Sequence, residues 1–344
     1  MISSTKRMIW EGELNFSLVS EPLRQLEIDE VLVKVIYSGI CGSDTHLVKG
    51  LFPGPPPPRV LGHEFSGQVV DSGNKSNRNL IGDYVACEPY VYPCKNKCEF
   101  CIKNVGVACP NRVHFGAFSE YVIVPVASTH KIPKNTNLMV AAMAEPASCS
   151  LSGLKLSKFE KDMNMVITGG GIIGLLTGAF SKLLGAGHVI ISDPIKERRD
   201  MAIKLGIDTA INPKEENLEQ VAQKLLGNYG CDIAVEAVGN LELLKELYKI
   251  VKPKGTIQLA GVNNNGNNFP FDSFDFHYKE LTLTGAFGMG NYFKESLSML
   301  NCLDFGDFNA KSFPLDKIVE GFLNSIEAKN IKTFIKPNNK KEES

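Results

Sequence analysis

The sequence is notable first for what it lacks. It carries no charge excess: 37 basic and 38 acidic residues leave a formal net charge of −1, with no long basic run. Nothing in the charge pattern therefore points to nucleic acid or to anionic lipid as a partner. It also has no clean membrane-length apolar run. The most apolar stretch, GGGIIGLLTGAFSKLLGAG, is rich in glycine and broken by Lys182, so no membrane partner is expected. The opening residues, MISSTKRMIW, lack the apolar core of a signal peptide. The expected compartment is the reducing cytosol, the cytoplasm, where structural disulfides are rare. Internal repeats are absent as well.

What is present reads as a soluble globular chain of two domains. Its 344 residues exceed one ordinary core, with 43% apolar and 22% charged residues. Residues 1–148 are rich in short β-type runs such as VLVKVIYSG and FSGQVVDSG, broken by turns and by the proline run in LFPGPPPPRVLG. From 149 the texture changes. Apolar strands (MNMVITGG, HVIISD, TAINP, CDIAVEAVG, GTIQLAG) alternate with helical segments (KERRDMAIKLG, ENLEQVAQKLLGNYG, LELLKELYKIVK) as far as 287. Strict alternation implies a parallel sheet covered on both faces, an α/β doubly wound domain. Residues 288–344 form a tail with one or two helices that ends in the strand-like KTFIKP.

Four of the nine cysteines fall within CKNKCEFCIKNVGVAC, from Cys94 to Cys109. In a reducing compartment such a cluster reads as metal ligands rather than as two disulfides. Cys98 and Cys101 enclose two residues, a spacing that lets a short turn aim both sulfurs at one tetrahedral ion. With Cys94 and Cys109 they make a closed four-cysteine structural zinc site. A closed site has no position for substrate, so the chemistry must lie elsewhere.

VITGGGIIG (166–174) sets Gly169, Gly171 and Gly174 in the pattern G-x-G-x-x-G. It follows a strand and opens a helix at Ile172 and Ile173, whose N-terminal N–H groups face any bound pyrophosphate. Asp193 ends the next strand, 19 residues past Gly174, where a carboxylate can accept hydrogen bonds from ribose hydroxyls and repel a 2′-phosphate. NAD is therefore favoured over NADP. Arg198 and Arg199, nearby, offer a route to NADP, but on a helix after Pro194 they are expected to face solvent.

In the first domain SGICGSDTH holds Cys41, Ser43, Asp44 and His46, VLGHEFSG holds His63 and Glu64, and AAMAEPAS holds Glu145. A glutamate in an alanine- and methionine-rich segment needs a partner, and a cation is a natural one. Three mixed ligands with a fourth position open are what a catalytic zinc requires.

Taken together, SGICGSDTH, GHEFSGQVVDSG, IGDYVACEP, the four-cysteine segment, GAFSEYVIVP, the glycine fingerprint and KTFIKP resemble the zinc-dependent alcohol dehydrogenases of the medium-chain dehydrogenase/reductase superfamily. The likeness spans essentially the whole chain and is greatest to the polyol (sorbitol-type) and threonine dehydrogenase branch. It implies a GroES-like catalytic domain over 1–148, a Rossmann NAD-binding domain over 149–287 and a return of 288–344 to the catalytic domain. It implies two zinc ions per chain, one structural and one catalytic, the latter on Cys41, His63 and either Glu64 or Glu145, with Glu145 favoured. Ser43 and His46 are the implied proton relay, Glu64 a further catalytic group, and Asp44 the orienter of His63. A homodimer or homotetramer built through the Rossmann domain is also implied.

Two departures from the family pattern stand out. Cys94 and Cys98 enclose three residues where the family has two, which leaves Cys87 as an alternative ligand. Polyol members carry phenylalanine then arginine in the segment that closes the pocket, whereas here Gly288 follows Phe287. The expected substrate is thus a secondary alcohol or ketone of polyol, sugar or cyclitol type. The competing readings are an amino alcohol such as threonine and, from another class, a non-catalytic NAD- and zinc-binding protein that senses thiol oxidation.

Overall fold

A computed structural model describes residues 2–52, 54, 56–91, 98–102, 109, 111–133, 135–263 and 266–338. Two compact units emerge: Met1–Glu145 with Phe293–Leu300 and Asn309–Ser344, and Pro146–Tyr292 with Asn301–Phe308.

The first unit begins with β1 (Ser4–Gly12), β2 (Asn15–Pro22), β3 (Glu30–Gly39) and the short helix α1 (Gly42–Val48). It continues through β4 (Arg59–Val60), β5 (Glu64–Ser72), β6 (Tyr84–Cys87), β7 (Tyr90–Val91), α2 (Glu99–Ile102) and β8 (Val113–His114). Then come β9 (Tyr121–Pro125), β10 (Thr129–Lys131), α3 (Leu138–Ala141) and the start of α4 (Ala144–Leu156). Valines at alternate positions of β3 (Val31, Val33, Val35) pack with Phe65, Val69, Val85, Cys87 and Val124 into one core. Cys87 is thus a core residue, its thiol pushed up by burial and then by Glu88.

The second unit follows the alternation read from the sequence: β11 (Met165–Thr168), α5 (Ile172–Leu183), β12 (Val189–Ser192), α6 (Lys196–Lys204), β13 (Thr209–Ile211) and α7 (Leu218–Leu226). It goes on with β14 (Cys231–Glu236), α8 (Leu241–Ile250), β15 (Val251–Leu259), α9 (Ser273–Tyr278) and β16 (Thr282–Gly285). The strands pair in the order β13-β12-β11-β14-β15-β16, all parallel, the arrangement of a doubly wound dinucleotide fold. Every residue of β11 and β12 is buried, as a sheet covered on both faces requires. One boundary departs from expectation. The helical segment LELLKELYKIVK stops at Ile250, and Val251 and Lys252 already belong to β15. Pro253 explains this, because the residue before proline is driven out of the helical region.

The chain then returns to the first unit through α10 (Phe293–Leu300), β17 (Ala310–Pro314), α11 (Ile318–Ile326) and β18 (Lys332–Lys336). β18 lies in the sheet between β3, which it pairs antiparallel, and β17, which it pairs parallel. Among the described residues no helix is long and apolar enough to cross a membrane.

Candidate active site

Three ligand-type side chains converge in the first unit. One donor atom each from Cys41, His63 and Glu64 lies within 4.8 Å of the others, with His63 and Glu64 buried and Cys41 half-buried. Local structure places each of them. Cys41 is the N-cap of α1, His63 follows the turn after β4, and Glu64 opens β5 opposite Gly39 of β3. Gly62 has φ +90°, and a Cβ there would press on Phe118 at 2.8 Å, so the GHE turn needs its glycine.

Asp44 ties two of the three together. Its Oδ2 accepts the backbone N–H of Cys41 at 3.2 Å, and its Oδ1 lies 3.4 Å from Nδ1 of His63. Nδ1 is thus engaged and Nε2 is the nitrogen left to an ion, the usual device for orienting a ligand histidine. Burial alone would lower the His63 pKa, but the Asp44 carboxylate and then the Cys41 sulfur raise it well above the ordinary value. The pocket favours positive charge at this point. His114, edge-on to His63 with ring centroids 5.8 Å apart, is pushed down to about 3, chiefly by burial and then by His63, so it stays neutral.

Glu64 is fully buried. Its Oε2 meets Nζ of Lys332 in an ion pair, neither oxygen makes a well-aligned hydrogen bond among the described residues, and Oε1 has no counter-charge of its own there. An orphaned, buried carboxylate oxygen beside a cysteine sulfur and an imidazole is a ligand set that fits a zinc ion. Lys332 also donates to the carbonyl of Ile40 at 3.0 Å, next to Cys41. From sequence alone this lysine is only part of the strand-like end KTFIKP. A lysine set in the run IKTFI was the available signal, since a buried ammonium must find an anion. Glu145, the glutamate favoured from the resemblance, is buried in the first turn of α4 and close enough to Lys332 to favour its charge. The oxygen that joins Cys41 and His63 in the close cluster comes from Glu64.

Ser43 and His46 lie three apart on α1 and so share a face. Burial, then Lys49, holds the His46 pKa below its usual value, and its buried Nδ1 has no partner among the described residues. In the four-cysteine segment, Sγ of Cys98 and Sγ of Cys109 lie 3.6 Å apart, a separation compatible with two ligands of one ion. Cys94 and the side chain of Cys101 fall outside the described residues.

In the second unit Gly169 takes φ +97° at the end of β11, and α5 starts at the N-cap Gly171 without a side-chain cap. A Cβ at Gly174 would overlap the carbonyl oxygen of Gly169, while one at Gly171 would meet nothing within 4 Å. The helix start is therefore closely packed beneath and open above, with the N–H groups of Ile172, Ile173 and Gly174 free of side-chain caps, a cradle that fits phosphate. Asp193 is 2% exposed and heavily engaged. Oδ2 accepts Gly170 N–H at 2.7 Å, and Oδ1 accepts Ile195 N–H at 2.7 Å. The two arginines do not face solvent as expected. Arg198 Nη1 reaches Asp193 Oδ2 at 3.4 Å, and Arg199 Nη1 donates to the Asp193 carbonyl at 2.8 Å. The strand end offers anionic and carbonyl acceptors to the first turn of α6, and both guanidinium groups fold back onto them.

Comparison with known proteins agrees with this geometry. Residues 27–134 match the alcohol dehydrogenase GroES-like domain, and residues 173–301 match the zinc-binding dehydrogenase domain. D-arabitol-phosphate dehydrogenase of Enterococcus avium is 30% identical over 321 residues, covering 90% of each chain. L-threonine 3-dehydrogenase of Coxiella burnetii is 29% identical, covering 89% of this chain and 92% of that one. A solved structure from Sinorhizobium meliloti 1021, assigned as a zinc-binding dehydrogenase and bound to NADP, superposes with a TM-score of 0.87 at 29% identity over 98% of this chain and 100% of that one. With its donor cluster, its doubly wound sheet and these relatives, the chain belongs to the zinc-type alcohol dehydrogenases of the medium-chain dehydrogenase/reductase family, built as a GroES-like domain and a Rossmann domain.

Proposed function

We propose that the protein transfers hydride between NAD(H) and a secondary alcohol or ketone of polyol, sugar or cyclitol type. The observation that carries this reading is the convergence of Cys41, His63 and Glu64, with Oε1 of Glu64 unsatisfied. Zinc held there supplies a Lewis acid that lowers the pKa of a substrate hydroxyl. Asp44 fixes the Cys41 peptide and the His63 ring, so the donors are set before substrate arrives. Ser43 takes the hydroxyl proton, and His46, neutral near pH 7 because burial holds its pKa down, passes it to water. The cradle of Gly169, Gly171 and Gly174 with Ile172 and Ile173 holds the pyrophosphate. Asp193 and Arg198 meet the ribose, and the buried Asp193 carboxylate favours NAD over NADP. Cys94, Cys98, Cys101 and Cys109 hold a second, structural zinc that persists in the reducing cytosol.

The threonine dehydrogenase relatives support a second reading, an amino alcohol substrate, and a panel of polyols, sugars and hydroxy amino acids separates the two. Self-association as a homodimer or homotetramer is proposed through the second unit, where edge strand β16 exposes Leu283. Metal analysis with NADH titration, before and after mild chelation, tests the core of the proposal. About two zinc ions are expected, the labile one needed for alcohol oxidation but not for NADH binding. One tightly held zinc with intact NADH binding and no oxidation would overturn it.

A further inference from the structure

Lys332 is an unexpected member of this site. Its Nζ is buried, pairs with Oε2 of Glu64 and donates to the carbonyl of Ile40 at 3.0 Å. One ammonium therefore touches one ligand directly and the peptide leading into another. Its surroundings are anionic: Glu64, Cys41 and Glu145 all favour its positive charge. Gly39 closes the pair from the β3 side, since a Cβ there would lie 2.9 Å from Cε of Lys332. The pair therefore packs directly against the β3 backbone at Gly39, where any larger residue would displace it.

We propose that Lys332 is a positioning residue for the metal centre: it keeps Glu64 a shared ligand, one oxygen on the ammonium and the other toward the cation, and so sets how tightly the cation is retained. The inference rests on the zinc reading above. Removing the ammonium frees both oxygens of Glu64 for the cation and removes a buried positive charge beside it. Both changes strengthen retention.

The test uses the full chain loaded with zinc, and with cobalt(II) as a spectroscopic stand-in. Lys332→Met should hold zinc about tenfold or more tightly against a chelator, and its cobalt absorption bands should shift as Glu64 commits to the ion. Lys332→Arg, which keeps the charge, should return both readings toward wild type. In a Glu64→Gln background the same Lys332→Met change should no longer tighten retention. Unchanged or weaker retention in a folded Lys332→Met protein overturns the proposal, even though zinc still binds. A wild-type chain that takes up no zinc at this site overturns the zinc reading itself. Should Lys332→Met not fold, the buried lysine ammonium NMR signal of the wild type, assigned with Lys332→Arg, carries the test. It should move as zinc is added and stay still in Glu64→Gln, and a signal unmoved by zinc in the wild type overturns the proposal.

Discussion

Gly171 and Gly174, about 4.5 Å apart along the helix at 1.5 Å per residue, should fail in opposite ways. A methyl at Gly174 would overlap the carbonyl oxygen of Gly169 and lie 3.1 Å from its carbon, inside the β11–α5 turn. Both obstacles are backbone, so the helix must shift, an overpacking cost of about 1–3 kcal/mol. In a chain of this size that lowers Tm by about 2–4 °C per kcal/mol. Gly171 has φ −69°, which any residue adopts, and a methyl there meets nothing within 4 Å. Gly171→Ala should leave stability unchanged or raise it by about 0.4–1 kcal/mol through the unfolded chain. The same methyl, however, stands where a pyrophosphate must approach the helix N-terminus, so NADH affinity should fall about tenfold, or ~1.4 kcal/mol. Thermal melts and NADH fluorescence titrations on both variants separate the effects. Wild-type NADH affinity in Gly171→Ala would refute the assignment of that open face to the cofactor. Wild-type stability in Gly174→Ala would refute the packing argument.

Other expectations follow from particular contacts. Asp44→Asn keeps the shape but weakens the hold on His63 and Cys41, and zinc affinity should fall roughly 10- to 100-fold in a chelator competition. Ser43→Ala should slow the hydride step in single-turnover measurements, and a wild-type rate would remove Ser43 from the proton path. Glu30, bonded by Arg24 at 2.6 Å through both oxygens, has its pKa lowered, first by that hydrogen bond. A lowered folded pKa means the pair stabilises the fold above the usual glutamate range of about 4.3 and loses that contribution as pH falls through the folded value. The stability gap between wild type and Glu30→Gln should thus be present near neutral pH and close in acid, as read by urea melts at a series of pH values.

Local order was easier to read from the sequence than long-range charge. The doubly wound sheet was legible because each of its strands is a short apolar run bounded by glycine or a polar cap, and the glycine fingerprint lies on adjacent positions. Apolar periodicity continues through Val251 and carries the expected end of α8 two residues too far, whereas Pro253 acts on the residue before it. Helical position directs Arg198 and Arg199 toward solvent but does not convey the pull of an acceptor at the neighbouring strand end. Cys41, His63 and Glu64 were nameable from their motifs. Their shared lysine was not, since 268 positions separate Glu64 from Lys332 and no periodicity links them. Glu64 and Glu145 are both buried near Lys332, and motif spacing does not say which of the two lies within 4.8 Å of the Cys41 and His63 donors, as Glu64 does.

The position of β18 bears on how the protein comes into being. The strand that delivers Lys332 is inserted between β3 and β17, and the bond from Lys332 to Ile40 joins residues 292 apart. During synthesis the second unit is contiguous over most of its length and emerges well before this strand, so it can fold while the chain is still being made. The first unit must wait. Until β18 leaves the ribosome, Glu64 lacks the Lys332 counter-charge, and β17 and the Ser38–Gly39 end of β3 lack the strand that joins them. A nascent chain stalled just short of Lys332 should therefore protect its dinucleotide unit from protease while leaving its first unit open to cleavage. Emergence of Lys332, and not metal supply alone, would then decide when a zinc-binding pocket first exists.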